Sequence, residues 1–150
     1  MQSIITPNSL YKNYPHLVAH LTALGEVPES TALPKQLQDL VKLRVSQLNG
    51  CGYCQHMHSE EARKDGETQA RLDVLPAWRE LSCFSSDERA ALAWAEALTL
   101  LASLRIDNAD FLVAKNAFGE KVLMELTSII LQINSWNRIS AGFLFQPELK

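Results

Sequence analysis

The sequence predicts an all-α fold, and three observations carry that prediction. No stretch rich in valine, isoleucine and threonine alternates apolar and polar residues over the length of a strand. Apolar residues recur instead at helical spacing, as in Leu37, Leu40, Val41, Val45 and Leu48. Residues that open and close helices stand where such stripes begin and end.

Pro15 suits a first helical turn and Gly25 a C-terminal stop, so a helix is expected between them. Residues 26–31 read as a loop. Pro34 opens a second helix that runs to about Leu48. Asn49-Gly50 ends it, because both residues tolerate left-handed backbone geometry. A third helix starts around Cys51 and reaches Gly66, with Arg63 and Lys64 near its negative end. Leu72 to Leu81 is helical but interrupted at Pro76.

Ser85 and Glu88 form a capping box for a long helix from about Ser86 to Leu104, with Ala91, Trp94, Ala95, Leu98 and Leu101 as its stripe. Asn108 caps a short helix that closes at Gly119, and a last helix covers roughly Glu120 to Trp136. That helix carries Val122, Leu126, Ile129, Ile130 and Ile133 on one side, with Met124 and Leu131 on another. A helix apolar on two sides is enclosed in its own core or buried against a second subunit. In a chain this short the second subunit is the expectation, and with it a homo-oligomer.

The 150 residues suit a single domain, 1–150, long enough to bury a core. A hydrophobic share of 47% and a charged share of 21% argue against wholesale disorder. With a net charge of −3 and no basic run, nothing favours nucleic acid or a membrane surface. Glu125, Gln132 and Asn134 break the longest apolar stretches before the ~18 to 20 residues of a membrane span. No secretory signal pattern opens the chain, so a cytoplasmic location is expected.

Three cysteines, Cys51, Cys54 and Cys83, are too few for a secreted disulfide scaffold. Two of them fall in Asn49-Gly50-Cys51-Gly52-Tyr53-Cys54-Gln55-His56-Met57-His58. Both thiols therefore lie near a helix N-terminus, where exposed N–H groups favour the thiolate. One helical turn sets their Cα atoms roughly 5 Å apart, within disulfide range. His58 follows Cys54 by four residues and shares its face, which makes a nucleophile and base pair.

From Leu40 to Trp94 the sequence resembles the alkylhydroperoxidase D-like branch of the carboxymuconolactone decarboxylase family. The residues that carry the resemblance are Leu40 through Cys51, Tyr53-Cys54, Met57-His58, Ala77 through Glu80 and Arg89 through Trp94. The family motif is an acid, eleven residues, the cysteine pair, three residues and a histidine. The resemblance implies that Cys54 attacks a peroxide and becomes a sulfenic acid, and that Cys51 resolves it as a disulfide. A dithiol reductant, lipoyl- or thioredoxin-like, would reopen that bond. His58 matches the relay histidine, and Asp39 stands at the relay acid, where the family usually has glutamate. The implied protein is a thiol-dependent peroxidase or disulfide oxidoreductase of antioxidant defence, a trimer or hexamer, with no metal, flavin or haem. No histidine stands between the two cysteines, unlike in some members.

The same residues support other readings. On the helix wheel Asp39 lies opposite the Leu37, Val41, Val45 and Leu48 stripe, which makes it a surface residue by periodicity alone. The resemblance, with Leu43 on the Asp39 side, implies a second buried face. Zinc accepts Cys51, Cys54, His56 and His58, with His16 and His20 as further ligands, but one helix face needs a ligand from elsewhere. A decarboxylase-like enzyme fits the same fold, although that branch lacks the cysteine pair. His16 and His20 read as solvated residues, His56 as a surface or interface residue, and Cys83 as a free thiol. Glu60 and Glu61 fit a solvated face, with Glu61 in reach of His58. Tyr53 lines a pocket or covers the disulfide.

Overall fold

A computed structural model describes residues 4–150 and is helical throughout its regular structure. In chain order the helices are α1 (Pro7–Asn13), α2 (Pro15–Leu24), α3 (Lys35–Leu48), α4 (Gly52–Lys64) and α5 (Gln69–Val74), then a 3₁₀ segment (Leu75–Glu80), α6 (Ser86–Thr99) and α7 (Asn108–Gly142). Helices α3, α6 and α7 pack against one another, and α4 lies on α3.

Helix α3 is buried on two sides, and this positions the site. One side sets Leu37, Val41 and Val45 against Trp94 and Ala95 of α6 and the Leu126, Ile129, Ile130 and Ile133 stripe of α7. The other sets Leu40 and Leu43 against Ala62, Leu72, Leu75, Trp78 and Phe84. Asp39 is therefore not at the surface, as the wheel has it. It is 1% exposed, because a second core occupies the face that a single stripe leaves to solvent.

The second core rests on a buried carboxylate. Glu96 accepts hydrogen bonds from Trp78 Nε1 and Arg44 Nε, both at 2.8 Å, and from Arg79 Nη1. Burial pushes the Glu96 carboxyl up, but these donors outweigh it and hold the group below its ordinary value. Arg79 and Arg89 also lie over the Trp78 ring.

Four boundaries differ from the sequence reading. Helix α1 was not foreseen; Pro7 opens it, and the Thr6 hydroxyl caps it by accepting from Ser9 N–H. Helix α6 stops at Thr99 rather than Leu104, since beyond Thr99 the chain has no core to face and Leu101 is 56% exposed. Asp107, not Asn108, caps α7, accepting from Ala109 N–H. The last helix runs on to Gly142, because Asn137 and Ser140 are still buried.

Gly119 divides α7 with φ 73° and ψ 173°, a conformation that side chains exclude, so the short and long helices expected either side of it are both present. The two-sided character of the longer arm is visible as well. Its inner stripe is buried, while Met124 is 69% and Leu131 50% exposed.

A candidate dithiol site at the start of α4

The site is built by the way α3 ends. Gly50, at φ 64°, takes the left-handed position, its N–H donates to Gln47 O, and Cys51 N–H donates to Ser46 O. This paired closure of the last turn is what a C-terminal glycine permits. It leaves Cys51 as the N-cap of α4, with its Sγ accepting from Cys54 N–H at 3.3 Å. The turn is clamped to α7, since Asn49 Nδ2 donates to Oδ1 of Asn134 and of Asn137, and Asn137 Nδ2 donates to Ser46 Oγ. The cysteines thus sit on a rigid corner.

Cys51 and Cys54 are joined as a disulfide, with Cα atoms 5.3 Å apart, and each is 1% exposed. Cys54 borders a cavity of about 240 Å³. His58 and Glu61 from α4, Lys42 from α3, and Trp136 and Ser140 from α7 share its lining, and Tyr53 and Phe145 meet edge-on at 5.4 Å across one wall. His58 is almost buried, and its Nδ1 lies 2.7 Å from Glu61 Oε2. The hydrogen bond from His58 holds the Glu61 carboxylate below its ordinary range, against the opposing effect of burial.

Asp39 is near this cavity in sequence register but does not line it. Its Oδ1 pairs with Lys35 Nζ, which also lies 3.0 Å from Asp65 Oδ2 at the end of α4. Its Oδ2 is buried without a partner. Burial raises the Asp39 carboxyl above its ordinary value, the neighbouring Asp65 adds to the rise, and Lys35 only partly offsets it.

The other candidate residues lie apart. His56 sits 3.7 Å from Glu60 at the surface. The His16 and His20 rings lie 4.1 Å apart and tilted at 44° on exposed α2. Among the described residues no three histidine, cysteine or acidic side chains are grouped to hold a metal ion. Cys83 is exposed and unpaired with another cysteine.

The sequence reading placed Cys51, Cys54 and His58 together and put Glu61 within reach of His58. It missed Lys42 and the α7 wall. The signal for that wall was present, because Gln132, Trp136 and Ser140 recur every four residues and so share one face. Lys42 gave no signal, since a lysine three residues after an acid on a helix reads as a solvated pair.

A helical dithiol centre with a neighbouring histidine defines the class. Residues 15–97 match the carboxymuconolactone decarboxylase family, and the chain belongs to it. It is 37% identical over 132 residues to the uncharacterised protein YdfG of Bacillus subtilis, covering 88% of this chain and 90% of that one. The crystal structure of a protein of unknown function from Agrobacterium tumefaciens, described as a candidate antioxidant defence protein AhpD, superposes with a TM-score of 0.90. The two are 31% identical, over 99% of this chain and 100% of that one. The debrominase Bmp8 shares the fold at 24% identity and a TM-score of 0.77, over 93% of this chain and 75% of that one.

Proposed function

We propose that the protein is a thiol-dependent peroxidase or disulfide oxidoreductase serving antioxidant defence. The observation that carries this reading is the meeting of Cys54, bonded to its partner Cys51, with His58 at one small, partly apolar cavity. With Nδ1–H donated to Glu61, His58 Nε2 is the nitrogen left to accept the Cys54 proton. The Cys54 thiolate then attacks the peroxide and becomes a sulfenic acid, and Cys51 displaces hydroxide from it to close the disulfide. Cys51 suits the resolving role, because the N-cap position favours its thiolate. Asp39 acts further out, as a buried carboxyl beside Lys35 and Asp65.

The reductant in this reading is a dithiol, lipoyl- or thioredoxin-like, which reopens the disulfide by thiol exchange and leaves with the oxidising equivalents as its own disulfide. No metal, flavin or haem takes part. Residues 1–150 work as one domain in a cytoplasmic homo-oligomer, trimer or hexamer, with the Met124 and Leu131 face of α7 covered by another subunit. Among the described residues no helix is long and apolar enough to cross a membrane.

One experiment tests the reaction. Reduced protein is given stoichiometric cumene hydroperoxide, thiols are counted by mass, and dihydrolipoamide is added to close the cycle. Loss of two thiols per chain, restored by the dithiol with continuing peroxide consumption, is the expected result. Intact thiols after peroxide would overturn the reading. Light scattering on the same sample reports assembly, where a stable monomer at micromolar concentration would remove the subunit contact.

A further inference from the structure

The proposed peroxidase reading leaves one charged group of the cavity unused. Lys42 reaches the same space as Cys54, His58 and Glu61, but from α3, so it faces them across the α3–α4 contact. It is only partly exposed, and a buried ammonium without a partner is costly. The carboxylates that act on it are Asp39, Glu61 and Asp65, and each is already engaged: Asp39 and Asp65 with Lys35, Glu61 with His58. Among the described residues, no side-chain hydrogen bond to the ammonium remains. Helix α7 contributes only uncharged side chains to the cavity, and α1 only Tyr11.

A cation kept in a partly enclosed space without an anion of its own has a use where an anion is formed during the reaction. We propose that Lys42 is the counter-ion of the reaction, facing first the Cys54 thiolate and then the oxyanion expelled when the peroxide bond breaks. This rests on the reading above and adds a residue to it. Before reaction the cavity holds Glu61 as carboxylate, neutral His58, the Cys54 thiol and the Lys42 ammonium. When Cys54 passes its proton to His58, the cavity holds two anions, the thiolate and Glu61, and two cations, the imidazolium and Lys42. Without Lys42 the thiolate and Glu61 would share one imidazolium.

The step balances. The thiolate of Cys54 attacks one oxygen of R–O–O–H, so that an S–O bond forms and the O–O bond breaks. Sulfur gives up two electrons and the peroxide takes them, leaving Cys54 as sulfenic acid and RO⁻ beside Lys42. RO⁻ takes the proton that His58 had removed and leaves as ROH. Lys42 ends as it began.

Burial also holds the Lys42 ammonium below the ordinary lysine value, with Lys35 adding to the fall and Asp39, Glu61 and Asp65 opposing it. The same desolvation makes a nearby ion pair stronger than it would be in water.

The test reads Cys54 without any peroxide. In reduced protein carrying Cys51→Ser and Cys83→Ser, the rate of alkylation by uncharged iodoacetamide is followed against pH. Lys42→Gln should move the profile to higher pH and slow alkylation at neutral pH about tenfold or more, the usual effect of removing one opposite charge. Lys42→Arg, which keeps the charge, should restore most of the rate. Coincident profiles for Lys42→Gln and its parent, or no recovery in Lys42→Arg, would overturn the proposal. Lys42→Met serves as the neutral variant if Lys42→Gln does not fold by circular dichroism. Peroxide turnover of the unaltered protein is scored separately, so failure of the peroxidase reading and failure of the Lys42 role are told apart.

Discussion

Glu96 and Asp39 are both buried carboxylates, 6% and 1% exposed, and both face basic side chains, yet they are in opposite condition. Glu96 has three donors from Trp78, Arg44 and Arg79 and is held ionised below its ordinary value. Asp39 has one partner, the half-exposed Lys35, keeps a bare buried Oδ2, and is pushed up. A carboxylate with both oxygens hydrogen-bonded in low dielectric fixes structure and resists titration. A carboxyl left short of donors holds its proton more tightly than an ordinary one. The difference separates a structural end of the molecule, around Trp78, from a chemical end around Cys54, with α3 common to both.

The largest break should come at the chemical end. Cys54→Ser is expected to abolish peroxide consumption, because a hydroxyl lacks thiolate character, while melting stays close to that of the reduced parent. Cys51→Ser should allow one turnover and leave a sulfenic acid on Cys54 that a dimedone-type reagent labels. Label on Cys51 in the reciprocal variant would reverse the two roles. Next in size is His58→Ala, expected to slow the attack by ~10² to 10⁴, the usual cost of losing a general base. Stopped-flow measurement of the first turnover reads it, and a rate within threefold of the parent would remove His58 from the mechanism.

The structural end should answer in the other way. Glu96→Gln removes the charge that Arg44 and Arg79 share and mismatches the Trp78 donor. A loss of about 2 kcal/mol is expected, discounted because Arg79 is half exposed. For a chain of this size that lowers Tm by roughly 4–8 °C. The rate of the first turnover at 25 °C should not change. A fall in that rate without a fall in Tm would erase the distinction between the two ends.

How much of this could be read in the sequence follows from the same physics. Local signals sufficed for the start of α4: Asn49-Gly50 stops α3, Cys51 caps the next helix, and His58 falls one turn below Cys54. The capping box at Ser85 and Glu88 was legible for the same reason, as both of its hydrogen bonds lie within four residues. What failed was long-range. Asp39 is buried by residues 62–84, which no window around position 39 contains. Leu101 belongs to the α6 stripe by spacing, yet the core ends at Thr99. Lys42 joins the cavity only because α4 and α7 close over it. The outer face of α7 was legible as an apolar stripe, but a single chain leaves it bare.

The smallest effect expected, and the one most able to sharpen the comparison, is at Asp39. A carboxyl raised by burial binds more protons folded than unfolded, so its contribution to stability falls as pH rises from about its ordinary 3.8 through the raised folded value. Asp39→Asn removes that titration. Above the ordinary 3.8 the variant should therefore lose less Tm with rising pH than the parent. Glu96 predicts the reverse slope for the parent, since a lowered carboxyl gives stability that is lost only as pH falls below 4.5. In turnover, Asp39→Asn should cost less than His58→Ala, because Asp39 does not line the cavity and acts through Lys35, Asp65 and the field at Lys42. Asp39→Glu restores the longer acid usual in the family, so activity should hold or rise. Parallel pH curves for Asp39→Asn and the parent, together with unchanged turnover in both variants, would mean that Asp39 is as inert a buried carboxylate as Glu96.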